Sequence, residues 1–290
     1  MQIQNRVFLL FSLFFFLLVF QSCEESNKKI TKDTQIKLVW SDEFDYEGLP
    51  NPDKWSYDVG DGCPDICGWG NNELEYYKAN SLKNSRVENG VLTIEAHKEG
   101  FKNKSFTSAR LVSKHKGEWV HGKIEVRAKT ASGLGTWSAV WMLPTNNEYG
   151  IWPKSGEIDI MEHVGYNPDT VFGTVHTSAY NHITGTQVGG KVYIPDVDEE
   201  FHIYSIEWSA DKIDFFIDNK KYFTFNNENK TFAEYPFDQT FHLIMNLAVG
   251  GNWGGRMGVD DSLFPQKMQV DYVRVYGLNH KTKSELLTKK

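Results

Sequence analysis

Three carboxylates stand within six residues in Gly156-Glu157-Ile158-Asp159-Ile160-Met161-Glu162, a run otherwise apolar enough to be a buried strand. Burying charge is costly unless it is paired or put to use. In a strand, residues two apart share a face, so Glu157 and Asp159 point one way and Ile158 and Ile160 the other. Glu162 is five residues from Glu157, and strict alternation puts it on the opposite face. One β-bulge near Ile160-Met161 inserts a residue, flips the parity and returns Glu162 to its partners. Glu157 and Glu162 then form the pair of carboxyls, one ionised and one protonated, that cleavage of a glycosidic bond requires. Without the bulge the acids are solvent-facing decoration of an amphipathic strand. Such decoration calls for balancing Lys or Arg, and the sequence just downstream offers His163 only.

The elements that must carry these residues read as strands throughout. From Leu38 onward, short alternating runs are separated by Gly, Asn, Asp and Pro. Val91 to Ala96 follows the turn pair Asn89-Gly90, and Gly122 to Ala128 alternates cleanly between apolar and charged. Trp137 to Leu143 is apolar nearly throughout, which predicts a strand buried on both faces. Further strands are expected at Phe201 to Trp208, Ile213 to Ile217, Tyr222 to Phe225, Phe241 to Val249 and Met268 to Tyr276. No long segment has helical period. The expected fold is all-β, a two-sheet antiparallel sandwich.

The chain has 290 residues, 9 Trp, 13 Tyr and 19 Phe, and a net charge of −7. Aromatic faces suit sugar stacking, although they also fill sandwich cores. The charge argues against a phosphate-neutralising surface, so no nucleic-acid partner is expected. Arg6 followed by the apolar run Val7 to Phe20 predicts an export signal over residues 1–22. It ends at Phe20-Gln21-Ser22-Cys23, which resembles a bacterial lipobox, though Phe20 and Gln21 depart from its tightest form and leave plain secretory cleavage open. Lipidation of Cys23 would anchor the protein to a membrane surface through a polar tether over 23–36, in the cell envelope. One domain is expected over 37–278 and a basic tail over 279–290. Cys63 and Cys67 read as a local disulfide in an exported chain; a metal site is the weaker alternative, because no further Cys or paired His completes a ligand set.

The acid motif resembles the signature of glycoside hydrolase family 16, and Leu38 to Gly277 resembles its bacterial laminarinase-like branch. The likeness is carried by Trp40-Ser41-Asp42-Glu43-Phe44, Gly68 to Leu74, Trp137 to Pro144, Gly156 to Gly165, His176-Thr177-Ser178, Asn246 to Trp253 and Val270 to Tyr276. It implies a jelly-roll of two curved antiparallel sheets with a glycan-binding cleft on the concave face. It implies Glu157 as nucleophile, Glu162 as general acid/base and Asp159 as the residue that orients both. The bulged spacing resembles the laminarinase and galactanase branches, whereas the unbulged form belongs to lichenases and xyloglucan enzymes. Trp137, Trp141 and Trp253 are expected to line the cleft, with the glycines around Trp253 letting backbone approach a sugar. His176 is expected beside the acid/base carboxyl, and Asn72 and Arg110 are candidates for sugar hydroxyls. Glu73 lies close enough in sequence to share the site, with no role assigned. Many relatives hold one structural calcium, and the matching positions are Glu43, backbone Gly90 and Asp271; catalysis itself implies no cofactor. The expectation is a monomeric retaining endo-β-1,3-glucanase. Mixed-linkage glucan or a galactan such as agarose is the alternative substrate, and a non-catalytic glycan-binding lipoprotein the alternative of another class.

Overall fold

The computed structural model describes residues 36–278. The export segment, Cys23, most of the tether and the basic tail lie outside the described residues. Within them two sheets face each other. One has ten strands, with Gln266–Leu278 near its centre between Gly122–Lys129 and Val91–Phe101. The other has eight, in the order Val188–Tyr193, Thr170–His176, Glu157–Val164, Thr136–Pro144, Phe241–Val249, Arg110–Val112 and Ser56–Tyr57, with Glu118–Trp119 beside Phe241–Val249. Pairing is antiparallel except between Glu75–Tyr77 and Lys104–Ser108, which run parallel. The described residues contain no α-helix, only short 3-10 turns at Cys67–Gly70 and Asp261–Leu263.

Alternation in sequence becomes two-sidedness in space. Ile124, Val126 and Ala128 of one sheet meet Val140, Met142, Ile158, Met161, Leu243 and Met245 of the other in a single buried core. Each of the larger side chains contributes about 1.5–3 kcal/mol of apolar burial, and Ala128 less. Phe241–Val249 is buried along its whole length. Thr136–Pro144 departs from expectation: Val140 and Met142 enter the core, but Trp137, Trp141 and Leu143 are only half-buried. That strand reads as doubly buried because its outer face is aromatic, not because the face is covered.

Cys63 and Cys67 form the expected disulfide. The loop they close is tight enough that a Cβ on Gly62, at φ +79°, would lie 2.2 Å from the Ile66 carbonyl oxygen. Only glycine fits there.

Candidate active site

The bulge lies at Ile160. Val140 pairs with Met161 and Trp141 with Asp159, so Ile160 has no partner on Thr136–Pro144. On the other side the register shifts between Asp159 and Glu162. Ile158, Ile160 and Met161 all turn into the core, and Glu157, Asp159 and Glu162 share the outer face. The bulge also shortens the site. From Ile158 to Glu162 the catalytic strand advances four residues while its partner runs three, from Met142 to Ala139.

Register across the sheet lays the outer-face residues out in rows. One row runs Arg110, Asn246, Ala139, Glu162, Phe172, each paired with the next on five successive strands. The adjacent row runs Val112, Ile244, Trp141, Asp159, Thr174. Ala139 places only a methyl group opposite Glu162, between Trp137 and Trp141. The Trp137 indole donates to Glu162 Oε1 at 3.1 Å. Trp253 meets Trp137 edge to face at 5.3 Å and Phe172 at 5.1 Å. The Arg110 guanidinium lies over both the Trp141 ring at 4.7 Å and the Trp69 ring at 4.5 Å. Arg110 also pairs with Asp58, Nε to Oδ2 3.0 Å. Asn72 is exposed and donates to Asn252 Oδ1 at 2.8 Å.

His176 departs from its expected place. It pairs with Glu157 across the strands, and its Nε2 lies 3.8 Å from Glu157 Oε1 and 3.4 Å from Asp159 Oδ2. The Glu157 end of the site holds it, because Thr170–His176 runs antiparallel and finishes where Glu157 begins. Trp152 and His182 pack around its ring at 6.0 and 5.2 Å. Glu157, Asp159 and His176 bring three atoms of metal-ligand type within 4.8 Å of one another. The same atoms form a proton-sharing cluster.

Burial pushes Glu162 well above the usual carboxylate range, and the Asp159 charge adds to it. Burial and then Asp159 push Glu157 up to about 8, while burial pushes Asp159 up to about 8. Three neighbouring carboxyls cannot all ionise. Glu157 keeps 16% of its side chain exposed, and the imidazole of His176 and the Trp152 indole favour its anion. The hydrogen bond between Glu157 and Asp159 raises Glu157 and lowers Asp159, so these two share one proton. Glu162, with the Asp159 charge beside it, holds another.

A Cβ on Gly254 would lie 2.8 Å from Trp137 Cβ, and one on Gly250 would lie 2.7 Å from Leu74, so the glycines around Trp253 make room for the chain's own packing. One expectation about the metal site requires correction. Glu43 does not offer its carboxylate to a cation, since Arg274 takes both oxygens at 3.1 and 2.8 Å and holds its carboxyl below the usual range. Asp271 gives Oδ2 to Arg127 at 2.6 Å and keeps Oδ1. Strand register brings Asp271, next to the Val270–Leu92 pair, close to Gly90. The fit to a hard cation is therefore narrower than the sequence implies: one carboxylate oxygen and main-chain carbonyls, without Glu43's side chain.

Some site residues escape sequence reading. Asn246 accepts from the Trp141 indole at 2.7 Å with Tyr77 behind it, and Glu73, expected near the site without a role, accepts from Tyr77. A cavity of about 230 Å³ is lined in part by Asp58, Lys114, Trp152, Gly156 and His242. Burial, then Lys114, pushes His242 down to about 3, so it lines the cavity as a neutral ring.

A two-sheet sandwich with a bulge-aligned carboxyl pair on an aromatic outer face defines a retaining glycosidase of jelly-roll type. Residues 72–274 match the profile of Glycosyl hydrolases family 16, and the chain belongs to that family. It is 55% identical over 247 residues to a beta-glucanase of Rhodothermus marinus, covering 83% of this chain and 85% of that one. The crystal structure of the laminarinase from Rhodothermus marinus superposes with a TM-score of 0.82 at 52% identity, over 85% of this chain and 99% of that one. SCLam, described as a non-specific endo-beta-1,3(4)-glucanase, was solved as a mutant co-crystallised with an oligosaccharide. It superposes at 0.80 with 43% identity, over 84% of this chain and 95% of that one.

Proposed function

We propose that the chain is a retaining endo-β-1,3-glucanase acting on laminarin-like glucan. The observation that carries the reading is the Ile160 bulge, which puts Glu157 and Glu162 on one face with Asp159 between them. In the first step Glu157 attacks the anomeric carbon, forming a carbon–oxygen bond as the glycosidic bond breaks. Glu162 gives its proton to the departing glycosidic oxygen. In the second step Glu162 takes a proton from water, the water oxygen attacks the same carbon, and Glu157 leaves as carboxylate. His176 and Trp152 hold the charge on Glu157, and Trp137 orients Glu162. Trp141 and Trp253 offer ring faces on which successive sugars stack, and the cavity lined by Trp152 and Gly156 has room for part of a sugar unit.

The likeness to a non-specific endo-beta-1,3(4)-glucanase puts mixed-linkage glucan on the same test panel, with agarose as the galactan control. Both catalytic glutamates are present, which disfavours the glycan-binding reading. Incubation with laminarin, mixed-linkage glucan and agarose, followed by product analysis, decides the substrate. Roles are decided by azide: Glu162→Ala supplied with azide gives a glycosyl azide of retained configuration, and Glu157→Ala gives the inverted one. Either product with the opposite configuration overturns the assignment.

The run at Val7 to Cys23 supports export and lipid anchoring in the envelope of a bacterium, and radiolabelled fatty acid incorporated into wild type but not Cys23→Ala tests it. A monomer is proposed, tested by sedimentation. A structural calcium would be held by Asp271 Oδ1 and main-chain carbonyls around Gly90, joining strand ends without entering the chemistry.

A further inference from the structure

Behind Trp141 runs a chain of hydrogen bonds whose directions can be assigned one after another. The Trp141 indole is a donor only, so the atom it meets at 2.7 Å is Asn246 Oδ1. The Asn246 amide nitrogen therefore faces Tyr77 and donates to its hydroxyl at 3.0 Å. With that oxygen accepting, the Tyr77 proton goes to Glu73 Oε2 at 3.2 Å. Glu73 Oε1 takes the Asn71 side-chain amide at 3.1 Å, so both of its oxygens already accept.

Glu75 lies next to Glu73 and is fully buried. Its Oε2 accepts from the Val249 backbone N–H at 2.7 Å. Its Oε1 is buried and meets no donor. A buried acceptor without a donor is a standing cost, and it disappears if Oε1 carries a proton and gives it to Glu73. We propose that Glu75 is a positioning residue: as a neutral acid it donates to Glu73 and fixes the direction of the chain Glu75, Glu73, Tyr77, Asn246, Trp141.

The proposal rests on the reading that Trp141 and Trp253 line the glycan cleft. The chain locks the plane of the Trp141 ring against Arg110. The Val249 bond pins the strand end from which the turn carrying Trp253 departs, and Glu73 bridges to Gly250 in that turn. Burial first, then the Glu73 charge, hold Glu75 well above the usual carboxylate range. The other groups facing the pair are Tyr77, Arg110, which acts on Tyr77, and Lys104, whose Nζ binds the Glu73 carbonyl at 2.7 Å. None supplies the missing donor. An acid with a raised folded pKa stabilises fully below its ordinary value and loses that contribution as pH climbs through the raised one.

The test uses the whole protein, laminarin kinetics at neutral pH and melting from acid to alkaline pH. Glu75→Gln keeps a donor toward Glu73 and an acceptor for Val249, and is expected to hold KM and kcat within twofold of wild type. It should also lose the Glu75 share of the alkaline fall in Tm. Glu75→Leu removes both contacts and should raise KM at least fivefold with kcat within about threefold. Tyr77→Phe cuts the chain elsewhere, retains the buried ring and should raise KM in the same way, which keeps the test alive should Glu75→Leu fail to fold. A wild-type KM in Tyr77→Phe, or an alkaline Tm fall in Glu75→Gln as steep as wild type, overturns the proposal. Wild-type protein that leaves laminarin intact defeats the functional reading instead, while the melting comparison, which needs no substrate, still decides where the proton sits.

Discussion

Trp137 and Asp159 act on Glu162 in opposite senses. The Trp137 indole donates to its carboxylate and favours the charged form, whereas the Asp159 charge beside it favours the protonated form. In the proposed mechanism Glu162 keeps its proton to release the leaving oxygen, so it sets the alkaline limb of the rate profile. Trp137→Phe should therefore move that limb to higher pH, by less than about one unit for a single hydrogen bond of ~1 kcal/mol. Asp159→Asn should move it to lower pH. The acid limb belongs to Glu157, which Asp159 also pushes up, so in Asp159→Asn both limbs should shift down together. Profiles of kcat/KM against pH for the two variants check this, and shifts in the same direction contradict it. Glu157, Asp159 and Glu162 are legible in sequence because their type and spacing are chemically unusual. Asn246 is not. It is one polar residue in an apolar strand, and its hydrogen-bond partner Tyr77 stands 169 residues away.

At the scale of the element, the bulge is the decisive piece of the catalytic strand. Deleting Ile160 removes the bulge and leaves Glu157 and Glu162 an even number of residues apart, so plain alternation keeps both on the outer face with Met161 still inward. The lost Ile160 side chain costs on the order of 2–5 kcal/mol of core packing. The expected outcome is a lower Tm with laminarin hydrolysis reduced but not abolished, read by circular dichroism and reducing-end assay. Complete loss of hydrolysis in a folded variant would mean that parity alone does not set which way Glu162 faces. Parity alone locates the bulge, since Glu157 and Glu162 stand an odd number of residues apart. Strand positions are equally legible: Phe241–Val249 matches its apolar run end for end. What Trp137 and Trp141 face is not, because an aromatic cleft wall and an aromatic core have the same composition. His176 misleads for a related reason, as the motif fixes its company but not the register that sets it opposite Glu157.

At the scale of the molecule, strands far apart in sequence are tied at their ends. Arg274 on Glu43 joins Ile36–Asp42 to Gln266–Leu278, and Asp271 pairs with Arg127 on the neighbouring strand. Calcium at Asp271 Oδ1 would add a further tie near Gly90. Added calcium should raise Tm and a chelator lower it; Asp271→Asn should abolish the difference, and Glu43→Gln should leave it standing. A calcium effect that vanishes in Glu43→Gln would restore the side chain to the ligand set. Carboxylate partners of this kind cannot be read from sequence, because nothing local says which arginine will reach which acid.

The row Arg110, Asn246, Ala139, Glu162, Phe172 has a further consequence, for refolding. Ala139, Glu162 and Phe172 come from consecutive strands, but Asn246 pairs with Ala139 and with Arg110 across long stretches of chain, and those loops must close before the row is complete. Hydrolytic activity should therefore return after denaturant is diluted later than the far-ultraviolet signal of strand formation, and catalysis becomes a clock for the last event of assembly.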